Sequence, residues 1–165
     1  MEKKKWPPNL VFDPREMTLE KALKMVDAAK EKARAMKVSM TIAVCDTGGN
    51  LVTLQRMDNC ALLGLEVSMN KARTSVFGMI PTHQWGPFFK GTDQRIAPLW
   101  FHSGWITFLG GFPIVLGEKI IGGIGVSGAT WEDTVVARAG LKALGADLTE
   151  IDACLNEIGI TPEKW

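Results

Sequence analysis

The stretch Gly110-Gly111-Phe112-Pro113-Ile114-Val115-Leu116-Gly117-Glu118-Lys119-Ile120-Ile121-Gly122-Gly123-Ile124-Gly125-Val126-Ser127-Gly128 decides the fold. Two apolar, β-branched runs, Phe112 to Leu116 and Lys119 to Ser127, are separated by Gly117-Glu118 alone. So short a turn joins antiparallel neighbours, so the sheet built on these runs is mostly antiparallel. The same stretch contains Gly123-Ile124-Gly125-Val126-Ser127-Gly128, a literal GxGxxG. A dinucleotide site needs parallel strands and an acidic residue about 20 residues further on, at the end of a following strand. Here the next helix ends near Gly145 and only a short tail follows, so that reading fails. Two others stay open. The glycines expose backbone N–H groups at a helix N-terminus, where an anionic group would sit by Ser127, Gly128 and Thr130; or they let a helix pack closely on the strand.

Outward from this core, Ile106 to Leu109, Val38 to Cys45 and Leu51 to Arg56 are further β-prone runs, giving five strands in all. Asp46-Thr47-Gly48-Gly49-Asn50 between the last two is hairpin chemistry, with the Asp46 side chain organising the turn. Leu19, Ala22, Leu23, Val26, Ala29, Ala33 and Met36 recur at three and four, which predicts an amphipathic helix capped by Thr18 or begun earlier at Asp13-Pro14. A second helix is predicted across Leu62 to Phe77, capped by Asp58-Asn59 and burying Leu62, Leu65, Met69, Ala72 and Val76. Gly78 to Pro98 is broken by glycine and proline into short turns. Thr130-Trp131-Glu132-Asp133 caps a third helix that ends at Gly145, and Leu148 to Ile158 is a last amphipathic piece. The class is α+β, with residues 1–16 as an arm, 17–146 as the domain and 147–165 as an extension.

A chain of 165 residues with 46% hydrophobic content buries a core without disulfides or a structural metal. Nineteen Lys and Arg against eighteen Asp and Glu leave +1, too little for phosphate neutralisation, so nucleic acid is not an expected partner. Cys45, Cys60 and Cys154 are odd in number and lack metal-knuckle spacing, so they read as reduced thiols. No apolar run approaches the roughly 18 residues of a membrane span, and the charged, proline-broken start lacks a secretory apolar region. The expected location is cytoplasmic, with no membrane partner.

On the second helix Gly64, Ser68, Lys71 and Ser75 share a face of small side chains with one ammonium. Either a neighbouring element packs there or Lys71 fixes a ligand carboxylate. Glu66, Asn70 and Arg73 line a third strip. With only His83 and His102, a multi-histidine metal site in one subunit is excluded. His102, within Trp100-Phe101-His102-Ser103-Gly104-Trp105, is the candidate haem axial ligand or general acid or base. Trp85, Trp100 and Trp105 gather near the same place, either for a flat guest or for a subunit interface.

The combination of Asp46-Thr47-Gly48-Gly49-Asn50, Gln55-Arg56-Met57-Asp58, Asn70-Lys71-Ala72-Arg73-Thr74, Gly110-Gly111-Phe112-Pro113 and Gly122 to Gly128 with Asp133 resembles the GlcG/HbpS family. That family includes the C-terminal domain of PduO-type adenosyltransferases. The resemblance covers residues 17 to 146 and implies a profilin-like α+β domain, with a mostly antiparallel sheet, assembled as a homo-oligomer. It implies a small-molecule pocket, in some members for haem or related tetrapyrroles, lined here by Lys71, Thr74, Gly110, Gly111, Pro113, Ser127 and Gly128, with Trp105 of the aromatic segment added to the lining by its place beside it. Asn70 stands where the family has aspartate, and the 100–105 segment is unusually aromatic. The leading expectation is a binder of haem or another flat, anionic aromatic molecule. Its rival is a small cofactor-independent enzyme, an isomerase, lyase or hydrolase, acting on an organic acid or carbonyl compound with His102, Lys71 and Glu66 as acid-base or charge-stabilising groups. A third possibility is an accessory subunit without chemistry.

Overall fold

The computed structural model describes residues 11–12, 16–89 and 103–161. Four antiparallel strands lie side by side: β4 (Gly111–Leu116), β5 (Lys119–Ser127), β2 (Thr41–Cys45) and β3 (Leu51–Arg56). A two-residue strand, β1 (Val11–Phe12), runs parallel to Lys119 and Ile120 of β5. Because β4 occupies the other edge of β5 over those residues, β1 continues the row of β2 and the sheet stays four strands wide. The antiparallel sheet therefore has four strands, not the expected five. The missing one is Ile106 to Leu109, which forms no strand. Its backbone is spent on side chains instead, with Ile106 N–H donating to Thr74 Oγ1 at 3.1 Å and the Phe108 carbonyl accepting from Thr82.

The helices are α1 (Leu19–Ala35), α2 (Gly64–Gly78), the four-residue α3 (Gly86–Phe89), α4 (Glu132–Leu144) and α5 (Thr149–Glu157), with a 3-10 turn at Thr82–Trp85. Thr18 caps α1, its hydroxyl accepting from Lys21 N–H at 3.2 Å, which decides between the two starts. Asp46 organises the β2–β3 turn by accepting from Gly48 and Asn50 N–H at 2.8 and 2.9 Å. Gly145, at φ 77°, terminates α4 in the left-handed conformation that glycine adopts without strain.

β5 alternates sharply between the two faces of the sheet. Ile124 and Val126 join Ile42, Val44, Phe112 and Ile114 on one side, where Met25, Val26 and Ala29 of α1 and Val136 and Leu141 of α4 cover them. Each fully buried Ile or Leu there contributes about 1.5–3 kcal/mol. On the other side the registered row Ala43, Gly125 and Gly111 crosses β2, β5 and β4. Here α2 lies directly on the strands. A Cβ at Gly125 would stand 1.9 Å from the Ser68 carbonyl oxygen, one at Gly123 2.4 Å from that of Ala72, and one at Gly111 2.7 Å from that of Lys71. The GxGxxG string is thus a helix-docking surface.

Two expectations for α2 need correction. It starts at Gly64 rather than Leu62, and its N-terminal flank, Leu63, makes no side-chain cap. The expected apolar stripe is turned outward at Leu62, which is 69% exposed, and Leu65 and Met69 are only half-buried. The buried face is the small one, Gly64, Ser68, Lys71 and Ser75, together with Ala72 and Val76. The glycine row explains why: only small side chains fit between a helix and strands brought this close.

Candidate functional site

Lys71 is fully buried. Its stem starts over the glycine row, and its ammonium runs to the far end of β5, donating to Asp133 Oδ2 at 2.8 Å and to the Val126 carbonyl at 2.7 Å. The ring of Phe108 stands over it, with its centroid 5.0 Å from Nζ. Asp133 is equally buried, and its second oxygen, Oδ1, accepts from Ala129 N–H at 2.9 Å. One carboxylate thereby ties the turn before α4 to an ammonium from α2; the expected side-chain cap of α4 does not form, since its N-terminal flank, Trp131, makes none. Burial pushes the Lys71 amine below the usual lysine range, against the opposing pull of Asp133. Burial likewise pushes the Asp133 carboxyl above its usual range, against the pull of Lys71. Both shifts favour the neutral forms.

The segment 103–110 closes this pair from outside. Thr74 holds it at Ile106, and Thr82 both donates to the Phe108 carbonyl and accepts from Gly111 N–H at 3.2 Å. Gly110, at φ 102°, leaves no room for a side chain: a Cβ there would lie 2.8 Å from that of Asp133 and 3.0 Å from Lys71 Nζ. Trp85, on the 3-10 turn, meets Trp105 edge-on at 5.0 Å and Phe88 at 5.2 Å. Phe88 and Phe108 are 66% and 53% exposed.

The three stretches around Lys71, Gly111 and Ser127 do converge, but the hollow expected between them is filled by Lys71, Asp133, Thr82 and the helix backbone. A small cavity of about 30 Å³ lies elsewhere, bordered by Phe112, Pro113, Leu141 and Ile151. Of the expected lining residues, Thr74, Gly110 and Gly111 hold or pack the covering segment, Trp105 is half-buried within it, and Pro113 borders the small cavity. Ser127 ends β5 with its carbonyl 3.7 Å from Cys60 Sγ, and Gly128 packs on Ser39 and Met40. Glu66 is exposed on α2. His102 lies outside the described residues. His83 is half-buried, its Nδ1 3.7 Å from Cys154 Sγ and its ring 6.1 Å from that of Phe112. Among the described residues no group of three or more His, Cys, Asp or Glu could hold a metal ion, and no helix is long and apolar enough to cross a membrane.

The sequence reading missed Asp133 as the partner of Lys71 and Phe108 as its cover. Asp133 stood in the expected capping sequence and among the family motifs, but neither paired it with Lys71. That pairing depends on α2 and α4 starting from the same end of β5, which no local pattern records.

A four-stranded antiparallel sheet with one helix on one face and a helix pair on the other, and a lysine-carboxylate pair at the sheet end, defines a small α+β domain built around a closed polar site. The chain belongs to the family of haem-degrading, HbpS-like proteins, whose model matches residues 17–142. It is 36% identical over 113 residues to protein GlcG of Escherichia coli K12, covering 62% of this chain and 75% of that one. A doubly substituted HbpS from Streptomyces reticuli superposes with a TM-score of 0.69 at 30% identity, over 78% of this chain and 87% of that one. A PduOC–haem complex gives 0.73 at 23% identity, over 79% and 96%, a likeness of fold.

Proposed function

We propose that the protein is a small-molecule-binding member of the GlcG/HbpS type whose guest is haem or another flat, anionic aromatic compound. The observation that carries this reading is the aromatic group at Trp85, Phe88, Trp105 and Phe108, displayed beside the family's Lys71 and Gly110-Gly111 motifs. The HbpS-like family and the haem complex of PduOC support the ligand class.

The described residues fit one part of a haem and not another. Partly exposed aromatic rings suit the porphyrin face. Among the described residues, the hollow at Lys71 is filled by side chains and helix backbone, and the cavity of about 30 Å³ beside Phe112 and Pro113 is far below the roughly 300–1,000 Å³ of ligand pockets. Nor do they supply an iron ligand: His83 is directed at Cys154 and Phe112 on the core side. A flat guest therefore lies against the outside of segment 103–108, with His102 as the proposed axial group. Thr74 and Thr82 position that platform, Lys71, Gly110 and Gly111 lie beneath it, and Pro113, Ser127 and Gly128 pack away from it. No chemical step is assigned to the iron.

Exposed Leu62, Leu63, Phe77 and Met79 around α2 support assembly as a homo-oligomer. Titrating the protein with hemin should give a saturable Soret shift with quenching of tryptophan fluorescence. Trp105→Ala should weaken it about five- to tenfold, the loss of one aromatic contact. An unchanged Soret band at stoichiometric hemin overturns the reading.

The Lys71–Asp133 pair favours a second reading, that of a small cofactor-independent enzyme acting on an organic acid or carbonyl compound. Lys71, His102 and Glu66 are its proposed acid-base and charge-stabilising groups.

A further inference from the structure

We infer that Lys71 is an imine-forming amine, which condenses with a small aldehyde admitted when the Phe108 side chain swings away, and that Asp133 is its proton partner. The inference is independent of haem binding, since it uses the interior pair and not the outer platform.

The geometry has three parts. First, Lys71 Nζ and Asp133 Oδ2 are in direct contact at 2.8 Å, so a proton passes between them without solvent. Second, the pair is deeply buried yet covered by the ring of Phe108, which is itself 53% exposed. Third, Phe108 belongs to an irregular segment held through Thr74 and Thr82 rather than by a strand ladder, and Gly110 next to it has no Cβ to obstruct Nζ. Rotation of one side chain uncovers the amine, and the vacated space is that of a phenyl ring, which limits the guest to a few heavy atoms.

A buried ion pair is a weak source of stability compared with apolar residues of the same size. A buried lysine, by contrast, readily gives up its proton and becomes a nucleophile. Burial drives this pair in that direction, lowering the affinity of Lys71 for its proton and raising that of Asp133. Among the described residues Asp133 is the ionisable group in contact with Lys71; neighbouring Glu132 turns to Thr130.

The ammonium passes one proton to the Asp133 carboxylate, leaving a neutral amine and a carboxylic acid. The amine nitrogen attacks the aldehyde carbon, the C=O π pair moves to oxygen, and a second N–H proton transfers there, giving a neutral carbinolamine. Asp133 then protonates the hydroxyl, the C–O bond breaks, water leaves, and the nitrogen lone pair forms the C=N bond of a protonated imine beside a restored carboxylate. Nothing is oxidised or reduced.

The test is reductive trapping of the folded protein with acetaldehyde and sodium cyanoborohydride, mapped by peptide mass spectrometry. At pH 6.5 an exposed lysine amine in water is free in only about one molecule in 10⁴. Lys71 should therefore be ethylated at least fivefold faster than the exposed Lys24, Lys37 and Lys142, despite its burial, and its lead should shrink towards pH 9. Phe108→Ala should accelerate Lys71 at least threefold and leave the other three unchanged. Lys71 lagging behind the exposed lysines at pH 6.5 in both proteins overturns the inference. Circular dichroism of Phe108→Ala verifies that the fold is intact.

Discussion

The two faces of the sheet meet their helices with opposite materials. Towards α1 and α4 the strands present Ile42, Val44, Ile124, Val126 and Ile114, and the gap is filled by long aliphatic chains. Towards α2 they present Ala43, Gly125 and Gly111 in register, with almost nothing to fill. The first face is held by the volume of its side chains. The second is held by proximity of backbones, which leaves a long side chain such as Lys71 no path but sideways, to the sheet end where Asp133 waits. A buried charge pair thus follows from the glycine row: where the helix lies close, polar residues of α2 are buried whether or not they contribute apolar area.

The largest effect that separates the faces should come from breaking that pair. Lys71→Met alone leaves the Asp133 carboxyl in an apolar site and should cost about 3–5 kcal/mol of unfolding free energy in urea titration. Adding Asp133→Leu should recover most of the loss, because both desolvated charges are then gone. If the double variant is as unstable as the single one, the pair contributes through its hydrogen bonds to Val126 and Ala129 rather than through charge compensation.

The next test addresses spacing. In Gly125→Ala the new methyl meets the Ser68 carbonyl oxygen at 1.9 Å, a backbone atom that no rotamer change can move. The whole of α2 must lift, and about 3 kcal/mol or more should be lost by the same measurement. On the opposite face, Ile124→Val removes one methylene from a packed core and should cost only about 1 kcal/mol. A single added carbon thus outweighs a single deleted one at adjacent positions of one strand. Equal losses would mean that the α2 face yields as readily as the aliphatic face.

This contrast also explains what the sequence could reveal. The α1 face was legible: the apolar spacing from Leu19 to Met36 and the β-branched run of β5 are local patterns, and burial follows them. The hairpin at Asp46 to Asn50 and the stop at Gly145 were legible for the same reason, since turn chemistry acts over a few residues. The orientation of α2 was not. Its hydrophobic pattern placed Leu62, Leu65 and Met69 inside, but glycines from strands some fifty residues away reversed the choice by admitting only small side chains. The segment from Ile106 to Leu109 is β-prone in composition, yet Thr74 and Thr82, from two other elements, hold two of its backbone groups. The candidate site was readable as a set, since Lys71, Gly110 and Gly111 do meet. It was not readable as a geometry, because the partner that turns Lys71 inward is 62 residues away and locally only braces the turn before α4.

The smallest effect sharpens the comparison with one probe on each face. Cys45 of β2 lies under α2 with Ala72 and Val76, and Cys154 is on the buried side of α5, in the aliphatic core. Burial pushes both thiols up to about 12 from an ordinary value of 9. Between about pH 9 and 12 the folded chain keeps these protons while the unfolded chain releases them, so the folded state binds more protons. Stability linked to both groups is then fully present below pH 9 and declines as pH rises towards 12. Urea midpoints should therefore fall across this window, and less steeply in Cys45→Ala or Cys154→Ala. Iodoacetamide at pH 9 distinguishes the faces more finely, since it requires a thiolate that the folded site suppresses. Labelling at each position then reports opening of its cover. Cys154 should react before Cys45: α5 is nine residues long and is pinned by Arg138 to Asp152 and Gln84 to Glu150, whereas α2 is locked onto the sheet along the glycine row. The reverse order would make the close-packed face the looser one, and the backbone contacts there would then define position without conferring rigidity.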